Sequence, residues 1–165
     1  MFRACGTSEV DVIAKSGSVL RRAFFAWVLI ILAESVNGTF RTLVLVPRSG
    51  EAEARRIGFV IALGLIFAIS TAFSDRMALR SVADHLAVGA LWVMLTFAFE
   101  ATLALFVAQI GLTKFLSEYD PTQGGLMSFG MFFLLIAPLL GSAASRALGR
   151  GVSDDEATLG SHRAP

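Results

Sequence analysis

The sequence predicts an all-α, polytopic membrane protein: four transmembrane helices in one bundle, with short interfacial helices. Three observations carry that expectation. The composition, 55% hydrophobic against 16% charged with a mean hydropathy of +0.70, is too apolar for a water-soluble domain of 165 residues. Four apolar blocks, at 20–46, 57–73, 86–108 and 126–144, each reach the roughly 17 residues needed to cross a hydrocarbon layer of about 30 Å. The connections between them run to roughly 10 to 18 residues, too short to hold a separate soluble domain. The expected organisation is a polar N-terminal tail (1–18), a membrane domain (19–146) and a disordered C-terminal tail (147–165) whose "SDDEATLGSHRAP" has no apolar period.

Each element has its own justification. Arg21 and Arg22 before "AFFAWVLIILA" resemble the front of a signal peptide, but the apolar block runs on through Arg41 to "TLVLVP", so it reads as a retained first span. Pro47, Ser49 and Gly50 are expected to stop it. Glu51 and Arg55, at i, i+4, open the second span, in which Gly58, Ala62 and then Gly64, Ala68 and Ala72 recur at four-residue steps and predict a close packing face. "SDRMALRSVADH" is too short and charged to cross and is placed at the interface, with Asp84 capping the third span and His85 as a wetted residue at its start. A continuous helix from there to Tyr119 would be about 50 Å long, so a bend near Gly111 is expected, followed by an amphipathic turn or two in "LTKFLSEY". The fourth span holds an interior Pro138, which predicts a kink.

Charge narrows the function classes. A net charge of +1 leaves no electrostatic footprint for nucleic acid, and Cys5, the only cysteine, excludes an intrachain disulfide and a cysteine-based metal cage. Nine Lys and Arg residues lie on one side of the four blocks and four on the other, which predicts that both termini are cytoplasmic. No cofactor is implied. The expected partners are the lipid bilayer and either a second copy or another membrane protein.

The chemistry is expected inside the spans. Glu34 and Glu100 each lie 14 residues into the first and third blocks, which run in the same direction, so the two carboxylates are predicted at nearly the same depth. Asn37 and Arg41 share a helical face with Glu34, while Trp92, Thr96 and Glu100 make a polar seam at four-residue spacing. A charge facing lipid at mid-bilayer costs at least about 2.5 to 3.5 kcal/mol, so these side chains are expected to face one another. Two acids and one arginine do not cancel. One carboxyl is therefore expected to carry a proton while Arg41 either reaches back to hold the other ionised or snorkels to the outer interface, and the cluster reads as a fixed staple between helices, a proton or substrate site, or a partner-binding feature.

"AESVNGTFRTLVLVPRSGEAEARRIG", "LWVMLTFAFEATL", "LSEYDPTQGGLM" and "APLL" together resemble a family of bacterial four-helix integral membrane proteins with no assigned reaction. The resemblance covers most of 33–140 and implies a bacterial cytoplasmic (inner) membrane and an importance for Glu34, Arg41 and Glu100. "ILAESVNGTF" also looks like the first helix of the small multidrug resistance transporters, in which a membrane glutamate exchanges protons for cations; the likeness ends after about ten residues. Three classes stay open: a small proton-coupled transporter or permease component, a structural or accessory subunit, and an enzyme. The last has no serine and base pair, zinc pattern or phosphate loop behind it.

Overall fold

The computed structural model describes residues 6–161 apart from 78, 80 and 124, with side chains described over 17–148 apart from those and from 75 and 123. The architecture is helical, without a strand among the described residues. Helix α1 (Gly6–Phe40) passes into a π-helical turn (Arg41–Leu45) and a short α2 (Val46–Ser49). Then come α3 (Glu51–Met77), α4 (Val82–Thr102) with its own π-helical turn (Leu103–Val107), α5 (Leu112–Ser117), a 3₁₀ turn (Pro121–Gln123) and α6 (Met127–Ser161). Three segments are long and apolar enough to cross a membrane: Glu51–Ser74, Val82–Val107 and Met127–Leu148. The fourth expected span falls on α1, which is not among the three; its apolar stretch is interrupted by Glu34, Ser35 and Asn37 and gives way to Arg41.

The ends of the elements follow local rules that the sequence reading only half resolved. Pro47 does not stop the first helix. It sits in the first turn of α2, where a missing N–H is tolerated, just after the π turn, and the break comes at Gly50 with φ +79°. Asp84 is not the cap of α4. Ser81 is, in a reciprocal capping box: Asp84 N–H donates to Ser81 Oγ and Ser81 N–H to Asp84 Oδ2, both at 3.0 Å. His85 is buried at 3% exposure rather than wetted, with Nδ1 2.7 Å from the Ser81 carbonyl oxygen. At the far end of α4 the chain leaves the helix through Gln109, at φ 52°, and Gly111 opens α5. Helix α6 runs unbroken past Pro138, which is buried, and continues to Ser161 through the segment whose composition predicted disorder; Cys5 and 162–165 lie outside the described residues.

The bundle closes in the order α1, α3, α6, α4, with α1 meeting α4 along a narrower seam. Its core is small: Ala23, Ala26 and Ile30 of α1, Ile66 and Met77 of α3, Val88 and Trp92 of α4, and Leu134 and Ala137 of α6. Glycines set the tight seams. A β-carbon at Gly89 would lie 1.9 Å from the Leu135 carbonyl oxygen of α6, and one at Gly141 would lie 2.6 Å from the Ser70 carbonyl carbon of α3. The buried face of α3 is Ala54, Gly58, Ile66, Ser70 and Ser74. Gly64, Ala68 and Ala72 are exposed, so the second half of the predicted packing stripe turns away from the bundle. The two runs differ in phase by two residues, about 200° around a helix, so one face cannot bury both. Large apolar side chains cover the outside, among them Phe25, Leu32, Phe106 and Phe132.

Gly89→Ala is expected to lower the unfolding free energy in detergent by about 1–3 kcal/mol through backbone overlap with α6. Gly64→Ala, whose new methyl meets open space, should instead leave stability unchanged or raise it by about 0.5–1 kcal/mol. Denaturant titration of both variants in one detergent checks the contrast.

Candidate functional site

One stripe of α1 builds half of the site. Ala23, Ala26 and Ile30 are buried at i, i+3, i+7, and the same stripe continues to Glu34, Asn37 and Arg41. Two indole groups join it to α4. Trp92, fully buried, donates from Nε1 to the Ala23 carbonyl at 2.8 Å, and Trp27 donates from Nε1 to Thr96 Oγ1 at 3.1 Å. Both bonds join residues 69 apart in sequence, and from one to the other each helix advances four residues, so α1 and α4 run parallel in one register. Continued upward, that register sets Glu34 across from Leu103, three residues beyond Glu100, or about 4.5 Å along the axis.

Asn37 is 9% exposed, and its amide nitrogen donates to Glu34 Oε2 at 3.3 Å and to the Gly58 carbonyl of α3 at 3.0 Å. Those two acceptors fix the amide's orientation. Its Oδ1 is left enclosed without a partner, and so is Glu34 Oε1. Arg41 is half-buried and lies across α3, where a β-carbon on Gly58 would come within 2.9 Å of its Cδ. Gly58 thus serves twice: its carbonyl takes Asn37, and its bare Cα lets the arginine stem cross.

Of the two placements expected for Arg41, pairing with a carboxylate is not found among the described residues. The ion pairs among the described residues are Arg55 with Glu51 (3.8 Å) and with Glu118 (3.4 Å), and Arg56 with Glu53 (3.6 Å). The reason is geometric: Arg41 begins the π turn, one turn beyond Asn37, and its stem is committed to the Gly58 groove. Of the predicted residues, the structure brings Glu34 and Asn37 together, sets Glu100 within about one turn of their level on α4 with Trp92 and Thr96 below it as anchors, and leaves Arg41 at the rim.

Two participants were not singled out in the sequence. Trp27 lies seven residues before Glu34, so its heptad relation to the glutamate was the available signal. Tyr119, the only tyrosine, sits in a segment whose charge reads as surface; its hydroxyl is enclosed without a partner and is pushed up to about 12 by burial first and by the Glu100 charge second. Chemically, the arrangement offers two carboxyl groups, one of them (Glu34) with an enclosed and unused oxygen, an amide and a phenol, beside indole and phenyl rings. Among the described residues no group of three or more His, Cys, Asp or Glu is placed to hold a metal ion. No family model, curated protein or solved structure matches the chain.

Trp27→Phe and Thr96→Val should each lower stability by about 0.5–1.5 kcal/mol through loss of one hydrogen bond. The double variant should cost less than the sum of the two, and additive losses would show that the bond contributes nothing.

Proposed function

We propose that the chain is a four-span integral membrane protein of the bacterial inner membrane, with both termini cytoplasmic, and that Glu34 and Glu100 form its proton-exchanging site as a small proton-coupled transporter or permease component. The observation that carries this reading is the enclosed, unpartnered Glu34 Oε1, with a second carboxylate within about one turn of its level on α4 and no ion pair to either among the described residues. A staple made of an Arg–Glu pair would have its oxygens engaged. Here the α1–α4 seam is held by neutral indole bonds, so the carboxyl groups are spare to packing and available to exchange protons.

The reading of α1 as the fourth span rests on 23–40, where Glu34 is the only charged residue in 18, a length of about 27 Å. The exposed apolar side chains of the other long helices suit a lipid surround. The family resemblance supports the bacterial membrane, and the sidedness of Lys and Arg supports the orientation. An accessory-subunit reading has one observation in its favour: the exposed stripe Gly64, Ala68 and Ala72 has the spacing of a helix–helix contact.

Purified protein in liposomes holding a pH-sensitive dye should take up protons down an imposed gradient. Glu34→Gln and Glu100→Gln should each reduce that rate roughly a hundredfold, the scale of losing a proton-transfer group, while detergent stability stays at the wild-type level. Wild-type rates in both variants would sink the proposal, and stability loss in proportion to rate loss would favour the accessory reading.

A further inference from the structure

Tyr119 is held in place from three directions. The residue before it, Glu118, is ion-paired to Arg55 of α3 at 3.4 Å, and the Glu118 carbonyl accepts the Met127 N–H of α6 at 3.2 Å. The Tyr119 carbonyl accepts the Ser128 hydroxyl. The loop returns tightly enough that a β-carbon on Gly125 would meet the Glu118 carbonyl oxygen at 2.3 Å. So fastened, the tyrosine ring stands edge-on to Phe97 (centroids 5.7 Å) and to Phe115 (5.3 Å), which also touch each other at 5.9 Å. Phe97 belongs to α4, one turn before Glu100, so this aromatic cluster docks against the helix that carries the carboxylate.

The hydroxyl ends up in an odd position for a residue whose polar tip usually finds water. It is enclosed without a hydrogen-bond partner, on a ring packed against Phe97 one turn before Glu100. The charged groups in and around the loop are Glu100 of α4, Lys114 of α5, Arg55 of α3, Glu118 and Asp120; Glu118 and Arg55 are ion-paired, and Asp120 Oδ1 accepts from the Thr122 N–H and hydroxyl. With its hydroxyl pushed up to about 12, Tyr119 remains a neutral donor across the whole physiological pH range.

We propose that Tyr119 is a positioning residue of the carboxylate site: its hydroxyl is the donor that Glu100 accepts from when it is ionised, and its ring, with Phe97 and Phe115, closes the end of the bundle through which that proton exchanges. The opposite end is shut by Trp27, Trp92 and the apolar core. This assignment rests on Glu34 and Glu100 being the proton-exchanging pair, and it adds a residue that gates and orients one of them.

Because Tyr119 is the only tyrosine, tyrosine labelled with ¹³C at Cζ gives one resonance that reports this hydroxyl alone. In the full-length protein in liposomes, the resonance should move with pH as Glu100 takes up and loses its proton, and it should stop moving in Glu100→Gln. A resonance that stays fixed at every pH in the wild type, or that moves equally in Glu100→Gln, overturns the proposal. The dye assay supplies the second readout. Tyr119→Phe, which keeps the ring packing, should slow proton uptake roughly tenfold, the loss attached to one hydrogen bond to a charged group; an unchanged rate counts against it. A pH-dependent resonance that depends on Glu100, together with wild-type uptake in both Gln variants, would sink the transport reading while leaving the Tyr119–Glu100 contact standing.

Discussion

The register between α1 and α4 is the constraint on which the rest of the site depends, and it is set by two indole N–H groups. Each bond by itself contributes modestly, about 0.5–1.5 kcal/mol net. Their force lies in what a slip would cost. Moving α1 by one residue would leave both donors unpaired, the Trp92 one in the buried core, where a lost partner costs about 1–3 kcal/mol. The seam is therefore specified rather than merely attractive. Because the donors are neutral, the specification uses no charge, and the two glutamates above it are placed without being consumed.

The other seams are built in the opposite way. At Gly89 against Leu135 and at Gly141 against Ser70, the absence of a β-carbon lets backbones touch, and α6 is drawn tightly to both α3 and α4. Along α1 and α4 the contact is made by long side chains. Tryptophan acts as both fastener and spacer. The result is an asymmetric ring of helices, closed by backbone contact on the α6 side and propped apart on the side where Glu34, Asn37 and Glu100 lie. Gly58 repeats the theme at the rim, where the missing side chain makes room for the Arg41 stem. Oxygen atoms can stay enclosed and unpaired only where neighbours are held at fixed distance and cannot collapse onto them, which this division of labour provides.

How much of this was legible in the sequence can be judged residue by residue. That Glu34 and Glu100 lie within one turn of each other in level was readable by counting along two parallel apolar blocks, because depth depends only on rise per residue, and the offset of about 4.5 Å that the indole register sets was not. The seam through Trp92 and Thr96 was readable from four-residue spacing. The pairing of Arg41 was not, since a long side chain goes where a groove admits it, and the groove belongs to Gly58 on another helix. The small residues of α3 came in two phases, and periodicity cannot say which phase faces inward without knowing what α6 presents. The capping box of Ser81 and Asp84 was fully written in the sequence, S-x-x-D before an apolar run, and was overlooked because Asp84 alone looked sufficient. Tyr119 was hidden for another reason. Its neighbours Glu118 and Asp120 mark the segment as surface, whereas its burial depends on a loop closing back through Gly125.

The placement of the two π turns then bears on how such a site would work. Arg41–Leu45 follows Glu34 on α1, and Leu103–Val107 follows Glu100 on α4, so both carboxylate helices change pitch on the same side of the pair. That side also carries Gly50 and Gln109, the positive-φ residues among those described, and the loop that holds Tyr119. The other side carries the indole bonds and most of the buried core. Irregular helix with few buried apolar contacts opens at lower free energy than a packed, hydrogen-bonded segment. On the proposed function, proton access is therefore polarised by construction: the tryptophan end stays shut while the end bearing the π turns and the tyrosine loop admits the proton. For a coupled transporter the second opening must then come from the cargo, because only a ligand that binds the alternative state more tightly can displace the indole register.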